Sequence, residues 1–153
     1  MAKTKAHTAY KLKDGTRVKG VTTILSNLGW NKNVLVAWAR RTALAGDDPD
    51  AVLKEAGAIG TLAHYLCECD IKGEEPELDD YSAEQIEKAE NAFLGYLEWK
   101  KMTKPKYEAI ELKMVSEKYR VGGTADFVAR INNSLVLGDI KTSKGIYPEM
   151  TCQ

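Results

Sequence analysis

The 153-residue sequence predicts an α+β chain whose N-terminal helices pack on a small mixed, mainly antiparallel sheet. Three observations predict this class. Helix-period apolar patterning, punctuated by start and stop signals, occupies residues 22–102. From Tyr107 onward the pattern changes to strand-like runs separated by turn residues. No linker, internal repeat or low-complexity segment divides the chain, and its length and 44% apolar content suit a single domain over residues 1–153. Within that domain, residues 1–20 form a hairpin or arm and the core begins near residue 21.

Taken in order, AYKLKDGTRVKG (9–20) reads as a hairpin turning at Asp14-Gly15. Residues 22–28 read as a short helix ending at Gly29. Asn33 caps a helix through about Leu44, with Leu35 and Trp38 facing inward and Gly46 as the stop. Asp48 before Pro49 starts a long helix to about Ile71, with Val52, Ala56, Ile59, Ala63 and Leu66 as its apolar stripe and Gly73 as its end. GEEPELDDY is an acidic loop. Ser82 and Gln85 make a capping box for a helix to about Met102 that buries Ile86, Ala89, Phe93 and Leu97 and closes at Pro105. Strands follow over 107–115, 119–131 and 134–141.

Composition excludes several classes. No apolar run approaches the ~20 residues that span a bilayer. The opening MAKTKAHTAYKLK lacks the apolar region of a signal peptide, so the expectation is a cytoplasmic protein with no membrane partner. Three cysteines, Cys67, Cys69 and Cys152, imply free reduced thiols. Net charge is zero, so bulk charge does not announce a nucleic-acid partner, and the Lys and Arg clusters read individually as solvated faces.

The last two strands carry the chemistry. Asn132-Asn133 suits a two-residue hairpin loop, since asparagine tolerates positive φ. Ile131 then pairs with Ser134, and Asp126 falls opposite Asp139. Facing β-carbons are ~5 Å apart, and two charges at that distance repel by about 3 kcal/mol at an effective dielectric of ~20. Lys141, two residues past Asp139, projects from the same face. An even-length turn at 116–119 adds Glu111 to that face. Three carboxylates and one ammonium leave two negative charges, which one divalent cation neutralises. All-oxygen ligands suit Mg2+ or Mn2+, and Lys141 is placed to hold or deprotonate water or to meet a phosphoryl oxygen. The bland alternative is a salt-bridged strand edge. It accounts for Lys141 and leaves the facing aspartates unexplained.

Other residues have ordinary readings. His64, at the edge of an apolar helix face, is of a type more often packed or at the surface than ligating. His64, Cys67, Cys69 and Asp70 invite zinc, but Cys69 turns off the shared helical face. Trp30, Trp38 and Trp99 read as packing, as do Tyr107 and Tyr119.

The series Glu111, Gly122-Gly123-Thr124-Ala125-Asp126 and Gly138-Asp139-Ile140-Lys141-Thr142 resembles the PD-(D/E)XK nuclease superfamily, RecB-like and phage-exonuclease branch. Gly60-Thr61-Leu62-Ala63-His64 resembles that branch's G-T-x-x-H helix. Tyr147, Pro148, Glu149 and Gln153 resemble the start of its Q-x-x-x-Y element. Val21–Leu25 and Trp38-Ala39 resemble the N-terminal helices of phage members. The resemblance implies a restriction-endonuclease-like core and a metal-dependent deoxyribonuclease, an exonuclease of phage or bacterial recombination, repair or replication. It implies Mg2+ or Mn2+ on Asp126, Asp139 and the Ile140 carbonyl with Glu111, His64 as a further metal ligand or a phosphate contact, and Lys141 positioning or activating water. Gln153 and Tyr147 would orient substrate or Lys141. Thr142, Ser143 and Lys144 read either as contacts to a substrate phosphate or as the turn after the strand. DNA is the implied partner, with homo-oligomeric rings and phage or host recombination proteins as further ones. The sequence stops at Gln153, before the tyrosine of Q-x-x-x-Y, so the expected fold is C-terminally truncated. Three cysteines do not supply the four-cysteine iron–sulfur site of some relatives. The alternative function is a non-catalytic DNA-binding or assembly module retaining the fold.

Overall fold

The computed structural model describes residues 9–29 and 32–143. Their elements are β1 (Tyr10–Lys11), β2 (Arg17–Gly20), α1 (Val21–Ser26), α2 (Lys32–Leu44), α3 (Pro49–Lys72), α4 (Ala83–Thr103), β3 (Lys106–Ser116), β4 (Val121–Ile131) and β5 (Ser134–Gly138). The strands make a mixed sheet in the order β1-β2-β4-β3, with β5 also paired to β4. No helix among the described residues is long and apolar enough to cross a membrane. Two compact units alternate along the chain, one from Gly57–Lys113 and Thr124–Thr142, the other from Thr8–Ala56 and Met114–Gly123.

In the first unit α3 and α4 build the core. Asp48 caps α3, its Oδ1 accepting the Asp50 amide at 3.0 Å, and Gly73 (φ +71°) follows its last turn. Leu62, Ala63 and Leu66 of α3 are buried with Ala89 of α4, and Ile59, Ile86 and Phe93 pack around them. The apolar stripe reaches less far than its period suggests. Val52 is 37% exposed and Ala56 lies in solvent, because this core takes only the second half of α3.

The capping box of α4 is complete. The Gln85 amide donates to Ser82 Oγ at 3.2 Å, and the Ser82 amide donates to Gln85 Oε1 at 3.1 Å. Replacing Ser82 with alanine is expected to cost about 1 kcal/mol, read as a lower urea midpoint at unchanged m-value. An unmoved midpoint would show that the box adds nothing. Lys104, left-handed at φ 48°, and Pro105 end the helix.

A file of rings continues from α4: Phe93 stacks on Tyr96 at 5.7 Å, Trp99 lies 6.2 Å beyond Tyr96, and Phe127 of β4 sits 5.5 Å from both Trp99 and Tyr107. Tyr107 therefore does more than line a sheet. Tyr96 donates its hydroxyl proton to Asp70 Oδ2 at 2.8 Å, so the Tyr107 hydroxyl, 2.8 Å away, must be the donor to Tyr96. Lys100 Nζ donates to the same Asp70 oxygen at 2.6 Å. Burial, then the bond donated to the Asp70 carboxylate, push the Tyr96 hydroxyl well above the ordinary tyrosine range, which keeps it a donor.

Asn132 and Asn133 both take positive φ, 49° and 65°, forming the two-residue loop that joins β4 to β5. The ladder runs from Ile131↔Ser134 to Phe127↔Gly138, the expected register. The strand itself is shorter than expected. β5 ends at Gly138, so Asp139 and Lys141 lie beyond it, and the ladder pair Asp126↔Asp139 does not form. The stretch is not sheet interior either: Leu135 and Leu137, two residues apart and so on one face of β5, are 61% and 59% exposed. In β3 the alternation breaks at Glu111, whose φ is +51°, and Leu112 and Met114 stay more than a third exposed.

The second unit holds the N-terminal hairpin. Tyr10 faces Val18, Gly15 (φ +85°) makes the turn, and Asp14 Oδ1 accepts the Thr16 amide at 2.8 Å. β2 then runs parallel to the start of β4, pairing Lys19 with Val121 and Gly20 with Gly122. This contact makes the sheet mixed rather than a plain antiparallel meander. Gly122 needs its empty side: a Cβ there would lie 2.2 Å from Tyr10 Cγ. On α2, Trp38 is half-buried, whereas Leu35, expected to face inward, is 53% exposed. The N-cap assigned to Asn33 shifts as well, since the helix already includes Lys32.

Candidate functional site

The site is built where α3 meets the end of the β4–β5 hairpin, within the first unit. Gly60, Ala63, His64 and Cys67 share one face of α3. Ala63 and Cys67 on that face are small and buried, which lets the helix approach closely. His64 Nδ1 thereby comes to 3.4 Å from Asp126 Oδ1. Asp126 Oδ2 accepts the backbone N–H of Ile140 at 2.5 Å. One carboxylate, 15% exposed, is thus held from two sides by elements far apart in sequence. Asp139 and Lys141 form an ion pair with each other beside it.

The electrostatics follow from these contacts. The hydrogen bond to Asp126 raises the His64 pKa, outweighing the desolvation that lowers it, and Lys141 and Asp139 act on it in opposite directions. Burial pushes the Asp126 carboxyl up. The His64 contact and the Ile140 amide overcome that push, and it titrates below the ordinary aspartate value. The sign of each linkage is then fixed. The His64 contribution to stability is full below its unfolded value and is lost as pH rises through its raised folded value. That of Asp126 is full above its unfolded value and is lost as pH falls through its depressed folded value. In the metal-free protein the pair therefore contributes most between about pH 4 and 6.5. Proton NMR of His64 checks it: its midpoint is expected to be higher in the wild type than in Asp126→Asn. Equal midpoints would exclude the contact.

The remaining expected site residues separate into three groups. Thr142 lies against α3, with its Oγ1 3.3 Å from where a Cβ on Gly60 would be, and Ser143 is exposed. Glu111 is half-buried on β3, where its positive φ takes it out of strand alternation. Among the described residues no three His, Cys, Asp or Glu side chains converge as a metal-binding group, so Glu111, Asp126 and Asp139 are not gathered into one. Lys144, Tyr147 and Gln153 lie outside the described residues, as does Trp30.

The zinc reading of His64, Cys67, Cys69 and Asp70 lacks its geometry: among the described residues no three such side chains converge. Cys67 and Cys69 are buried, and burial, with the Asp70 and Asp126 carboxylates, pushes the Cys67 thiol up to about 12 in the metal-free protein. Asp70 serves Tyr96 and Lys100 instead.

Two contacts escaped the sequence reading. The Ile140 amide, rather than its carbonyl, meets Asp126, and His64 meets that aspartate directly. The small residues Gly60, Ala63 and Cys67 at helical spacing were the available signal for the second.

No family model, curated protein or solved structure matches the chain. Its functional reading therefore rests on the residues themselves and on the motif resemblance.

Proposed function

We propose that the chain is a Mg2+- or Mn2+-dependent deoxyribonuclease of the PD-(D/E)XK type, with a restriction-endonuclease-like core, acting on DNA in phage or bacterial recombination, repair or replication. The observation that carries this reading is the convergence on Asp126: His64 on one oxygen, Ile140 on the other, and the Asp139–Lys141 pair alongside. The donors fit a hard divalent cation in type. Two carboxylates against one ammonium leave a net negative charge while His64 is neutral, and a cation would offset it. Asp126, Asp139 and the Ile140 carbonyl would hold the ion, with His64 as a further donor. When bound, it supplies Lewis-acid polarisation of the phosphodiester and a more acidic water.

The chain's own residues do the rest. Asp126 fixes the segment after β5 through the Ile140 amide, which sets where Asp139 and Lys141 stand. Lys141, released from Asp139, offers its ammonium to a phosphoryl oxygen or, deprotonated, takes a proton from the attacking water. His64 keeps Asp126 charged. DNA is the partner that the motif resemblance implies. A homo-oligomer and recombination proteins stay attached to the resemblance alone.

The test is incubation with linear and circular DNA, with and without manganese. Lys141→Ala is expected to lose cleavage by at least about a hundredfold while still binding Mn2+. Wild-type protein that neither binds Mn2+ nor cuts DNA would remove the proposal. A second reading, a non-catalytic DNA-binding or assembly module, is favoured by the Lys141–Asp139 pairing. Its signature is DNA retained uncut in every metal condition.

A further inference from the structure

We propose that Gly60 is a positioning residue: its empty side lets Thr142 lie against α3, and that contact sets where Asp139, Ile140 and Lys141 meet Asp126 and His64. The consequence for catalysis rests on the nuclease reading, whereas the contact itself does not.

Gly60 lies inside α3 with ordinary helical φ, so the left-handed freedom of glycine is not what the position uses. Glycine in a helix interior weakens the helix relative to alanine. Its presence calls for another reason, and room is the one the neighbourhood supplies. A Cβ on Gly60 would stand 3.3 Å from Thr142 Oγ1, closer than such contacts ordinarily are. Gly57, one turn earlier in the same helix, has open space at the same position.

What lies on the other side of the contact matters as much. Gly60 precedes His64 by one turn on the shared face of α3. Thr142 follows Ile140 by two residues, and the Ile140 amide is the group that Asp126 accepts. The Gly60–Thr142 approach and the His64–Asp126 approach are therefore two contacts between the same helix and the same end of the hairpin. Thr142 is exposed and lies outside any strand, so the segment that carries it can give by the few tenths of an ångström that a methyl demands. A β-branched side chain carries two heavy atoms on Cβ, and of its two other staggered rotamers one swings Cγ2 into the place that Oγ1 leaves. A methyl at position 60 thus forces the single remaining rotamer or moves the segment that holds Ile140 and Lys141.

Amide hydrogen exchange at Ile140 reads this directly, without DNA or metal. Gly60→Ala is expected to lower Ile140 protection at least about tenfold while thermal stability stays at or above wild type, since alanine favours the helix. Gly57→Ala should leave Ile140 unchanged. The double variant Gly60→Ala/Thr142→Ala should return to within about twofold of wild type. Mn2+ affinity should fall and recover across the same three variants. Gly60→Ala behaving like Gly57→Ala, or a double variant that fails to recover, would overturn the proposal. A wild type that binds no Mn2+ removes the nuclease reading and leaves the exchange comparison intact.

Discussion

Asp126→Asn is expected to weaken Mn2+ binding at least about a hundredfold and to take DNA cleavage with it, while the chain stays folded. Loss of a partner that merely orients a metal ligand already costs 10–100-fold, so loss of charge on the central ligand itself should cost no less. The fold should survive because the replacement is isosteric. Its amide oxygen still accepts the Ile140 N–H, while its amide nitrogen faces His64, which loses both the charge and its acceptor. Asp126→Ala is the harsher variant. It leaves the Ile140 amide without an acceptor and His64 without its carboxylate, adding about 1–3 kcal/mol of destabilisation. Calorimetric titration with Mn2+, a cleavage assay and urea unfolding on both variants separate the two effects. Full metal affinity in Asp126→Asn would put the ion elsewhere or nowhere.

Gly138→Ala should destabilise the chain by about 3–5 kcal/mol, comparable to deleting a buried aromatic ring. A Cβ on Gly138 would lie 2.0 Å from Phe127 Cζ and 2.2 Å from Cε2, distances that real side chains do not adopt. Phe127 is 5% exposed and faces Gly138 in the ladder, and its ring contacts both Trp99 and Tyr107. The ring must leave that stack or β5 must detach, so either way the core loses what Phe127 provides. Phe127→Ala relieves the clash at the cost of the ring. The double variant should accordingly be less damaging than the two single costs added together. Unfolding of Gly138→Ala at the wild-type urea midpoint would mean that the ring does not cover this glycine.

Local signals made most of the elements legible. Asp48-Pro49, Ser82 with Gln85, and Gly46 and Gly73 mark helix ends by chemistry that acts within one turn, and the helices begin or end there. Asn132-Asn133 fixed the register of β4 against β5 for the same reason: two adjacent positive φ angles leave one way to pair the flanking strands. What local chemistry does not carry is the reach of a strand and the side it buries. Leu135, Val136 and Leu137 have the composition of an interior strand, but Leu135 and Leu137 share a face that is open to solvent. The strand ends at Gly138, which faces Phe127, eleven positions earlier. Glu111 shows the same limit, since alternation assigns it a face and a positive φ removes it.

At the site, the acidic residues and the lysine were visible as charges in apolar surroundings. Their partners were not. Joining His64 to Asp126 requires knowing which face of α3 meets the hairpin, and that depends on the packing of Leu62, Ala63 and Leu66 against Ala89. The Tyr96–Tyr107–Asp70–Lys100 network had no sequence pattern to announce it, because its members come from three elements whose relative placement is itself the outcome of folding.

Leu62 and Ala63, immediately before His64 on α3, are among the most deeply buried residues of the chain. Core and chemistry are thus threaded on consecutive residues of a single helix, with no loop between them to absorb a disturbance. A saturation screen scored only by phenotype would flag Leu62 and Leu66 as strongly as His64, and would draw a false map of the proposed site. Scoring cellular abundance in parallel would sort the two: substitutions at Leu62 should deplete the protein, and those at His64 should leave it plentiful and inert.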